Sequence, residues 1–224
     1  MTKHLKRAVA ASLAALAVSG AAFGADIVDY FSRAPMECVS FLPQYGRLDM
    51  VDYFRGGSKV STETKLGNRQ AIVSLDSAQI VYAGDDSVTT AIAMLPGFKG
   101  DTVLMVIRTV PTPVKDSTIE FYDKRWGVLD RRPMAEPMLA DWIKPADRKH
   151  ARSFDGSVPF ILSTASYDPA SRRLTLTNLT DSFFTPKDRP AELSMLVDEI
   201  VYVWDGRKFI KELSLIHISE PTRH

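Results

Sequence analysis

The residues of this sequence that could carry catalysis or bind a metal are few and lie far apart. The 224 residues include one cysteine, Cys38, and four histidines. A zinc site needs several cysteine or histidine ligands, and a serine or cysteine hydrolase needs a histidine beside its nucleophile. His150 lies far from Cys38 in sequence, and the chain has neither a G-x-S-x-G elbow nor a phosphate-binding glycine loop. We therefore predict no catalytic nucleophile, no metal site and no cofactor.

Carboxylates could still support glycoside hydrolysis, which needs only two of them, about 5 to 9.5 Å apart. Seven side chains qualify by type: Asp49, Asp52, Asp85, Asp86, Asp116, Glu120 and Asp123. Helix capping explains the first two better, and aspartate is common in turns such as GDDS. No pair is singled out. We therefore expect a non-enzymatic protein, with a carboxylate-dependent hydrolase acting on glycans as the alternative.

Four large aromatic side chains form a candidate binding surface. Tyr122, Trp126, Tyr202 and Trp204 fall in strands that the sequence pattern predicts to be paired at the end of each half of the chain. Alternation along a strand places Tyr122 on the face opposite Phe121, so some of these rings should leave the core. An exposed Trp126 or Trp204 beside another ring would fit a protein or glycan partner. The competing interpretation is that the rings cover the sheet against helices.

Both ends of the chain carry segments that we separate from the folded part. MTKHLKR is basic and the apolar run at residues 8–23 ends in small residues, which is typical of a secretory signal peptide, here residues 1–24. Nothing after it could span a bilayer, so we expect a periplasmic or secreted protein. Residues 213–223, LSLIHISEPTR, resemble a translated sequencing adapter, and we treat residues 213–224 as a non-native tail.

Removing both ends changes the charge only slightly. The formal charge of the whole chain is +1, and it falls to about −2 without Lys3, Lys6, Arg7, Arg223 and Glu220. This balance gives no electrostatic reason to expect nucleic acid or an anionic membrane as a partner. His4, His217 and His224 leave with the two ends, so His150 is the one histidine of the predicted mature chain, and we interpret it as solvated.

The elements that would position these residues follow from local patterns. DIVDYF at 26–31 and DMVDYF at 49–54 each predict the first turns of a helix capped by aspartate, the second ending at Gly56-Gly57. Strand patterns with short turns follow over residues 59–129, and helices are predicted at EPMLADWI and RPAELSMLVD, with a polar linker between them. We predict an α+β fold with two helix-plus-antiparallel-sheet halves, residues 25–146 and 147–212.

Three stretches resemble a family of exported Bacteroidales proteins of unknown function: GRLDMVDYFRGG at 46–57, DSTIEFYDKRWGVL at 116–129 and YVWDGRKFIKE at 202–212. The resemblance implies an exported α+β protein and brings no activity, ligand or catalytic residue. We expect the partner to be an unknown protein or glycan of the cell envelope.

Four triplets that begin with aspartate and serine or threonine, DSA, DSV, DTV and DST, resemble the O-glycosylation acceptor pattern of Bacteroidales proteins. Because a sugar must sit on the surface, Ser87 and Ser117, both predicted to lie in turns, are the candidate glycosylation sites.

Overall fold

The computed structural model describes residues 26–212 apart from 86–87, 112 and 155. The α-helices in this part of the chain are α1 (Ile27–Arg33), α2 (Gln44–Arg55) and α3 (Leu139–Trp142). The strands are β1 (Thr62–Glu63), β2 (Arg69–Leu75), β3 (Gln79–Gly84), β4 (Thr89–Pro96), β5 (Thr102–Val110), β6 (Asp116–Asp123), β7 (Ser163–Asp168), β8 (Arg173–Asn178), β9 (Glu199–Trp204) and β10 (Phe209–Lys211). None of the described helices has the length and apolar character needed to span a membrane.

The described strands form two antiparallel sheets. The large sheet has six strands in chain order, β1 to β6, and the small sheet has the order β10-β9-β8-β7. Short turns between strands favour such neighbours, because an antiparallel pair needs only a hairpin connection. The predicted α+β class is confirmed, and the predicted halves 25–146 and 147–212 each contain one complete sheet.

The large sheet lies between two separate hydrophobic cores. Its first face packs against α1 and α2 in a core that includes Ile27, Met50 and Leu104. Its second face packs against the small sheet in a core that includes Met105 and Trp204. Leu104 and Met105 are consecutive and both fully buried, as expected when alternate side chains of one strand enter different cores. The molecule therefore has three layers: helices, large sheet and small sheet.

The first helices match the sequence prediction in part. At the start of α1 the Asp29 carboxylate accepts a hydrogen bond from the Asp26 backbone N–H, 3.2 Å away, which satisfies one of the donors left open at a helix start. The prediction that Asp49 begins the second helix is wrong, because α2 already starts after Pro43 and Asp49 lies within it. Its predicted end is confirmed: α2 stops at Arg55, and Gly57 adopts a positive φ of 70°.

The helices predicted after residue 130 are shorter or of another type. EPMLADWI forms only the one-turn α3, and RPAELSMLVD forms a 3-10 helix at Ala191–Met195. The predicted polar linker contains a 3-10 helix at Pro145–Phe154, with Phe154 buried in the core between the sheets. These segments serve as connections that deliver single apolar side chains to the core.

Candidate functional site

The four aromatic residues proposed as a binding surface are buried, so the exposure on which that interpretation depended is absent. Tyr122 and Trp126 lie in the core under the helices, with ring centroids 5.4 Å apart. Tyr202 and Trp204 lie in the core between the sheets. The predicted alternation is correct, because Phe121 faces the small sheet while Tyr122 faces the helices. For Tyr122 the error was to assume one core, whereas the large sheet is covered on both faces and buries both sets of side chains. Tyr202 and Trp204 lie with Ile200 on the inner face of the small sheet.

Two of these rings also hold layers together through hydrogen bonds. Trp126 Nε1 donates to the Tyr30 carbonyl oxygen at 3.1 Å, which ties the turn after β6 to α1. Trp204 Nε1 donates to the Pro96 carbonyl oxygen at 2.7 Å, which ties the small sheet to the end of β4. Buried indole N–H groups need such acceptors, so both tryptophans have structural roles.

The candidate carboxylates are spread over the molecule. Asp49 and Asp52 are exposed on α2, and the Asp85 carboxylate accepts from the Arg69 backbone N–H at 3.2 Å. Asp116 Oδ1 accepts from the Ser163 backbone N–H at 3.0 Å, and Asp123 Oδ1 from the Gly127 N–H at 2.8 Å. Asp86 lies outside the described residues. Asp85, Asp116 and Asp123 therefore have structural partners.

Glu120 belongs to a polar cluster on the helix face of the large sheet, together with Cys38, Arg108 and Tyr122. Its carboxylate pairs with Arg108 and accepts a hydrogen bond from the Tyr122 hydroxyl at 3.0 Å. Burial raises the pKa of the Cys38 thiol, against the smaller opposing effects of Tyr122 and Arg108. A thiol with a raised pKa stays protonated at neutral pH and is a poor nucleophile. This cluster therefore supports the interpretation of Cys38 as a small buried side chain.

Two arginines hold the segment between α1 and α2 against the sheet. Arg47 Nη1 donates to the carbonyl oxygens of Phe31 and Ala34, both at 2.7 Å. Arg108 Nη2 donates to the Cys38 carbonyl oxygen at 2.9 Å. The segment contains a 3-10 helix, Met36–Val39, which ends at Ser40 in the left-handed region at φ 53°, and carbonyl groups at the ends of helices lack partners within the helix. The arginines supply those partners.

His150 does not complete a site with the groups above. It is exposed in the 3-10 helix at Pro145–Phe154. Within the described ranges, no group of three or more histidine, cysteine, aspartate or glutamate side chains is arranged to hold a metal ion.

Of the two candidate glycosylation sites, the structure describes only Ser117. Ser87 lies outside the described residues. Ser117 was predicted in a turn, but it lies on β6, where its hydroxyl is 2.8 Å from the Thr109 hydroxyl and accepts from the Ala165 backbone N–H at 3.0 Å. A sugar on this oxygen would have to displace the contact between the two sheets, so we withdraw Ser117 as a candidate.

The edge of β7 that faces away from β8 is covered by side chains of the large sheet. Asp116 and Ser117 accept the backbone N–H groups of Ser163 and Ala165. Further along, Gln79 Nε2 donates to the Tyr167 carbonyl oxygen at 3.3 Å. The small sheet is therefore fixed to the large one along this strand.

An aromatic group that sequence analysis did not identify lies on the surface beside the small sheet. We call Phe160, Phe183 and Phe184 the phenylalanine patch. The Phe160 ring is stacked on Phe184 at 6.5 Å, and Phe183 meets both rings edge-on at 5.0 and 5.4 Å. Phe160 is 38 % exposed and Phe183 is 43 % exposed, while Phe184 packs against the core between the sheets.

Backbone contacts hold the two segments of the patch together. The Leu179 N–H donates to the Leu162 carbonyl oxygen at 2.8 Å, and the Leu162 N–H donates to Thr180 Oγ1 at 3.0 Å. Thr180 is fully buried, and its own N–H donates to Asn178 Oδ1 at 2.9 Å. The exposed rings thus stand on an ordered base rather than on an isolated loop.

Charged groups lie next to the patch. Asp181 and Arg189 form an ion pair in which Arg189 Nη2 is 3.0 Å from Asp181 Oδ2. This pair lines a cavity of about 160 Å³ whose polar lining also includes Lys144, Asn178, Ser194 and Asp198. An apolar centre bordered by charges is the usual composition of a protein interface. The sequence does contain a signal for the phenylalanine patch. Two adjacent phenylalanines, Phe183 and Phe184, stand in the otherwise polar stretch TDSFFTPKDR, where the pattern predicts no core position for both.

Comparisons with known proteins identify a family but no activity. Residues 21–209 match the family described as "Protein of unknown function (DUF3256)". The chain is also similar to a solved structure, a domain of an uncharacterized protein from Porphyromonas gingivalis W83, with a TM-score of 0.69 and 22 % identity over 83 % of this chain and 98 % of that chain. At this identity the likeness concerns the fold. A comparison with curated proteins finds no match.

Proposed function

We propose that this chain, which belongs to the DUF3256 family of unknown function, is a non-enzymatic binding or assembly protein of the cell envelope, with the phenylalanine patch as its protein-binding surface. The family match and the Porphyromonas gingivalis neighbour agree with the resemblance to Bacteroidales proteins of unknown function seen in the sequence. The assignment to the envelope rests on residues 1–24, which read as a signal peptide.

The exposed phenylalanine patch is the observation that carries the binding role. Large apolar rings that remain exposed on an ordered base commonly anchor protein interfaces, because they release much apolar surface from water with little loss of side-chain freedom. Phe160 lies nearly parallel to Phe184 and Phe183 meets both rings edge-on, so the three rings pack against one another as one apolar surface.

The hydrolase alternative receives no support from the described carboxylates. A glycosidase needs an acid and a second carboxylate on either side of one bond. Asp116 and Asp123 instead accept backbone N–H groups, and Glu120 is paired with Arg108. We therefore keep the binding role as the proposed function.

Site-specific crosslinking tests this proposal. A photoreactive benzoylphenylalanine replaces Phe183 in the full chain, cells are irradiated, and crosslinked proteins are identified by mass spectrometry. The dissociation constant for the purified partner is then compared between the unaltered chain and the Phe160→Ser/Phe183→Ser variant. Two interface anchors are worth at least 2 kcal/mol together, so we expect affinity to fall by about thirtyfold or more.

The matched control is Phe98→Ser, which removes another exposed phenylalanine at the other end of the small sheet. It should leave the affinity unchanged. Equal crosslinking from positions 183 and 98, or an unchanged affinity in the double variant, would contradict the proposal.

A further inference from the structure

A cavity without charged groups lies between β7 and the large sheet. It has a volume of about 160 Å³ and is partly open to solvent. Its floor is the face of the large sheet that meets the small sheet, with the apolar side chains Val81, Ala91 and Ile107, and its wall is residues 165–167 of β7. Each described residue that lines the cavity is uncharged. An ion would lose its water here without gaining a partner of opposite charge, so the lining favours a neutral ligand.

The outer backbone edge of β7 has both bonded and open groups. The N–H of Ala165 and the carbonyl oxygen of Tyr167 point away from β8, where they bond to side chains of the large sheet. Because the N–H and C=O of one residue in a strand point to the same side, the Ala165 oxygen and the Tyr167 N–H also point away from β8. Neither of these two groups has a hydrogen-bond partner in the part of the chain that the structure describes. They form an open acceptor and an open donor two residues apart.

Both open groups lie on the cavity wall. Thr109, a lining residue, has its hydroxyl 2.8 Å from Ser117 Oγ, which accepts the Ala165 N–H. Gln79, another lining residue, donates to the Tyr167 oxygen at 3.3 Å. The cavity therefore extends along the edge from the bonded Ala165 N–H to the bonded Tyr167 oxygen, and the open pair lies between them.

The pattern of bonded and open groups selects one kind of ligand. An antiparallel strand bonds to both the N–H and the C=O of one residue, but Ala165 has lost its N–H and Tyr167 its oxygen to side chains. A residue of a parallel strand instead donates to the C=O of one residue and accepts from the N–H two residues later, and these are the open groups. The acetamido group of a sugar cannot do the same, because the N–H and C=O of one trans amide point in opposite directions.

We propose that this cavity binds one residue of an extended peptide that runs parallel to β7. The N–H of that residue donates to the Ala165 oxygen, and its carbonyl oxygen accepts from the Tyr167 N–H. Its two neighbours in the peptide point their side chains to the floor, where Ala91 leaves space for small apolar groups. The bonded groups on either side limit the pairing to this one residue, so binding is weak and the sheet is not extended. The inference does not depend on the phenylalanine patch.

Nuclear magnetic resonance of the full chain labelled with nitrogen-15 tests the inference. The probe is N-acetylalanine methylamide, which carries the N–H and C=O of one residue between two methyl groups. We expect the Tyr167 amide proton signal to move downfield on titration with this probe. In a matched analogue an ester oxygen replaces the alanine N–H, so the bond to the Ala165 oxygen is lost, and the affinity should fall about fivefold. N-acetylglucosamine at the same concentration should leave the Tyr167 signal in place.

A substitution that fills the cavity gives a second measurement. Ala91→Leu occupies the space above the floor, so the probe should no longer move the Tyr167 signal. Phe183→Ser is the control and should respond as the unaltered chain does, which separates this test from that of the proposed function. The comparison of amide with ester uses the unaltered chain and so does not depend on the folding of Ala91→Leu. An unmoved Tyr167 signal in the unaltered chain, equal affinity for amide and ester, or an equal response to N-acetylglucosamine would overturn the inference.

Discussion

The two faces of the large sheet are covered in different ways. On the helix face, Arg47 and Arg108 bond to backbone carbonyl groups at the end of α1 and in the 3-10 helix that follows it. On the other face, aromatic rings such as Phe121, Trp204 and Phe209 pack between two sheets, with centroids 5.1 to 6.0 Å apart. Helices joined by a short 3-10 segment leave terminal carbonyl groups that need donors, whereas a sheet satisfies its own backbone except along its edges. The first layer therefore depends on charged donors and the second on packing.

The largest expected effect comes from removing a ring between the sheets. Trp204→Ala empties a fully packed position and removes the donor to the Pro96 oxygen. Large-to-small changes of this kind cost about 4 kcal/mol of the free energy of unfolding. Urea denaturation followed by circular dichroism measures the change. A loss below about 1 kcal/mol would show that the small sheet is held mainly by other contacts.

A somewhat smaller effect is expected on the helix face. Arg47→Met keeps much of the side-chain volume but removes the charged donor to the carbonyl oxygens of Phe31 and Ala34, of which Phe31 keeps only the 3.4 Å bond from the Ala34 N–H. Hydrogen bonds from a charged donor to buried groups predict a loss of about 3 kcal/mol in the free energy of unfolding. Arg55→Met on the same helix is the control, because its ion pair with Asp26 is exposed and worth under about 1 kcal/mol. Equal losses in the two variants would contradict the role given to Arg47.

The smallest effect on stability at neutral pH is expected from removing one buried tyrosine hydroxyl on each face of the large sheet. Burial raises the pKa of Tyr82 on the helix face and of Tyr167 between the sheets, each from 10 to about 12. Above pH 10 the unfolded chain loses these protons first, so the stability they contribute is complete below pH 10 and is lost as the pH rises towards 12. Tyr82→Phe and Tyr167→Phe remove this dependence one face at a time.

The measurement compares urea midpoints of both variants and the unaltered chain at pH 8 and pH 11. We expect each variant to lose less stability than the unaltered chain between the two values. At pH 8 the Tyr167 change should alter stability by under about 1 kcal/mol, since its buried hydroxyl makes no hydrogen bond within the described chain. An equal loss of stability between pH 8 and pH 11 in all three proteins would rule out a contribution of either tyrosine.

The strands were largely predictable from the sequence because their signals are local. β-branched runs and short turns identified β2 to β6. Gly56-Gly57 correctly marked the end of α2. The start of α2 was missed because its first turns carry polar and small residues, QYGR, and the aspartate that looked like a cap lies in mid-helix.

The site was less predictable because exposure depends on which layers cover a strand. Tyr122 alternates with the core residue Phe121, and nothing in a strand pattern says that the second face of the strand is also covered. Phe160 and Phe183 come together through segments 23 residues apart that meet only in the folded chain. Local patterns therefore identified strands well but could not show which rings reach the surface.

The side chains along the outer edge of β7 also bear on how copies of the protein meet. An edge strand with open N–H groups invites a strand from another molecule, which is the first step of domain swapping and fibril growth. Here Asp116 and Ser117 occupy the N–H groups of Ser163 and Ala165, and Gln79 occupies the Tyr167 oxygen. The contacts that join the two sheets thus also make this edge a poor template for fibril growth in a concentrated compartment.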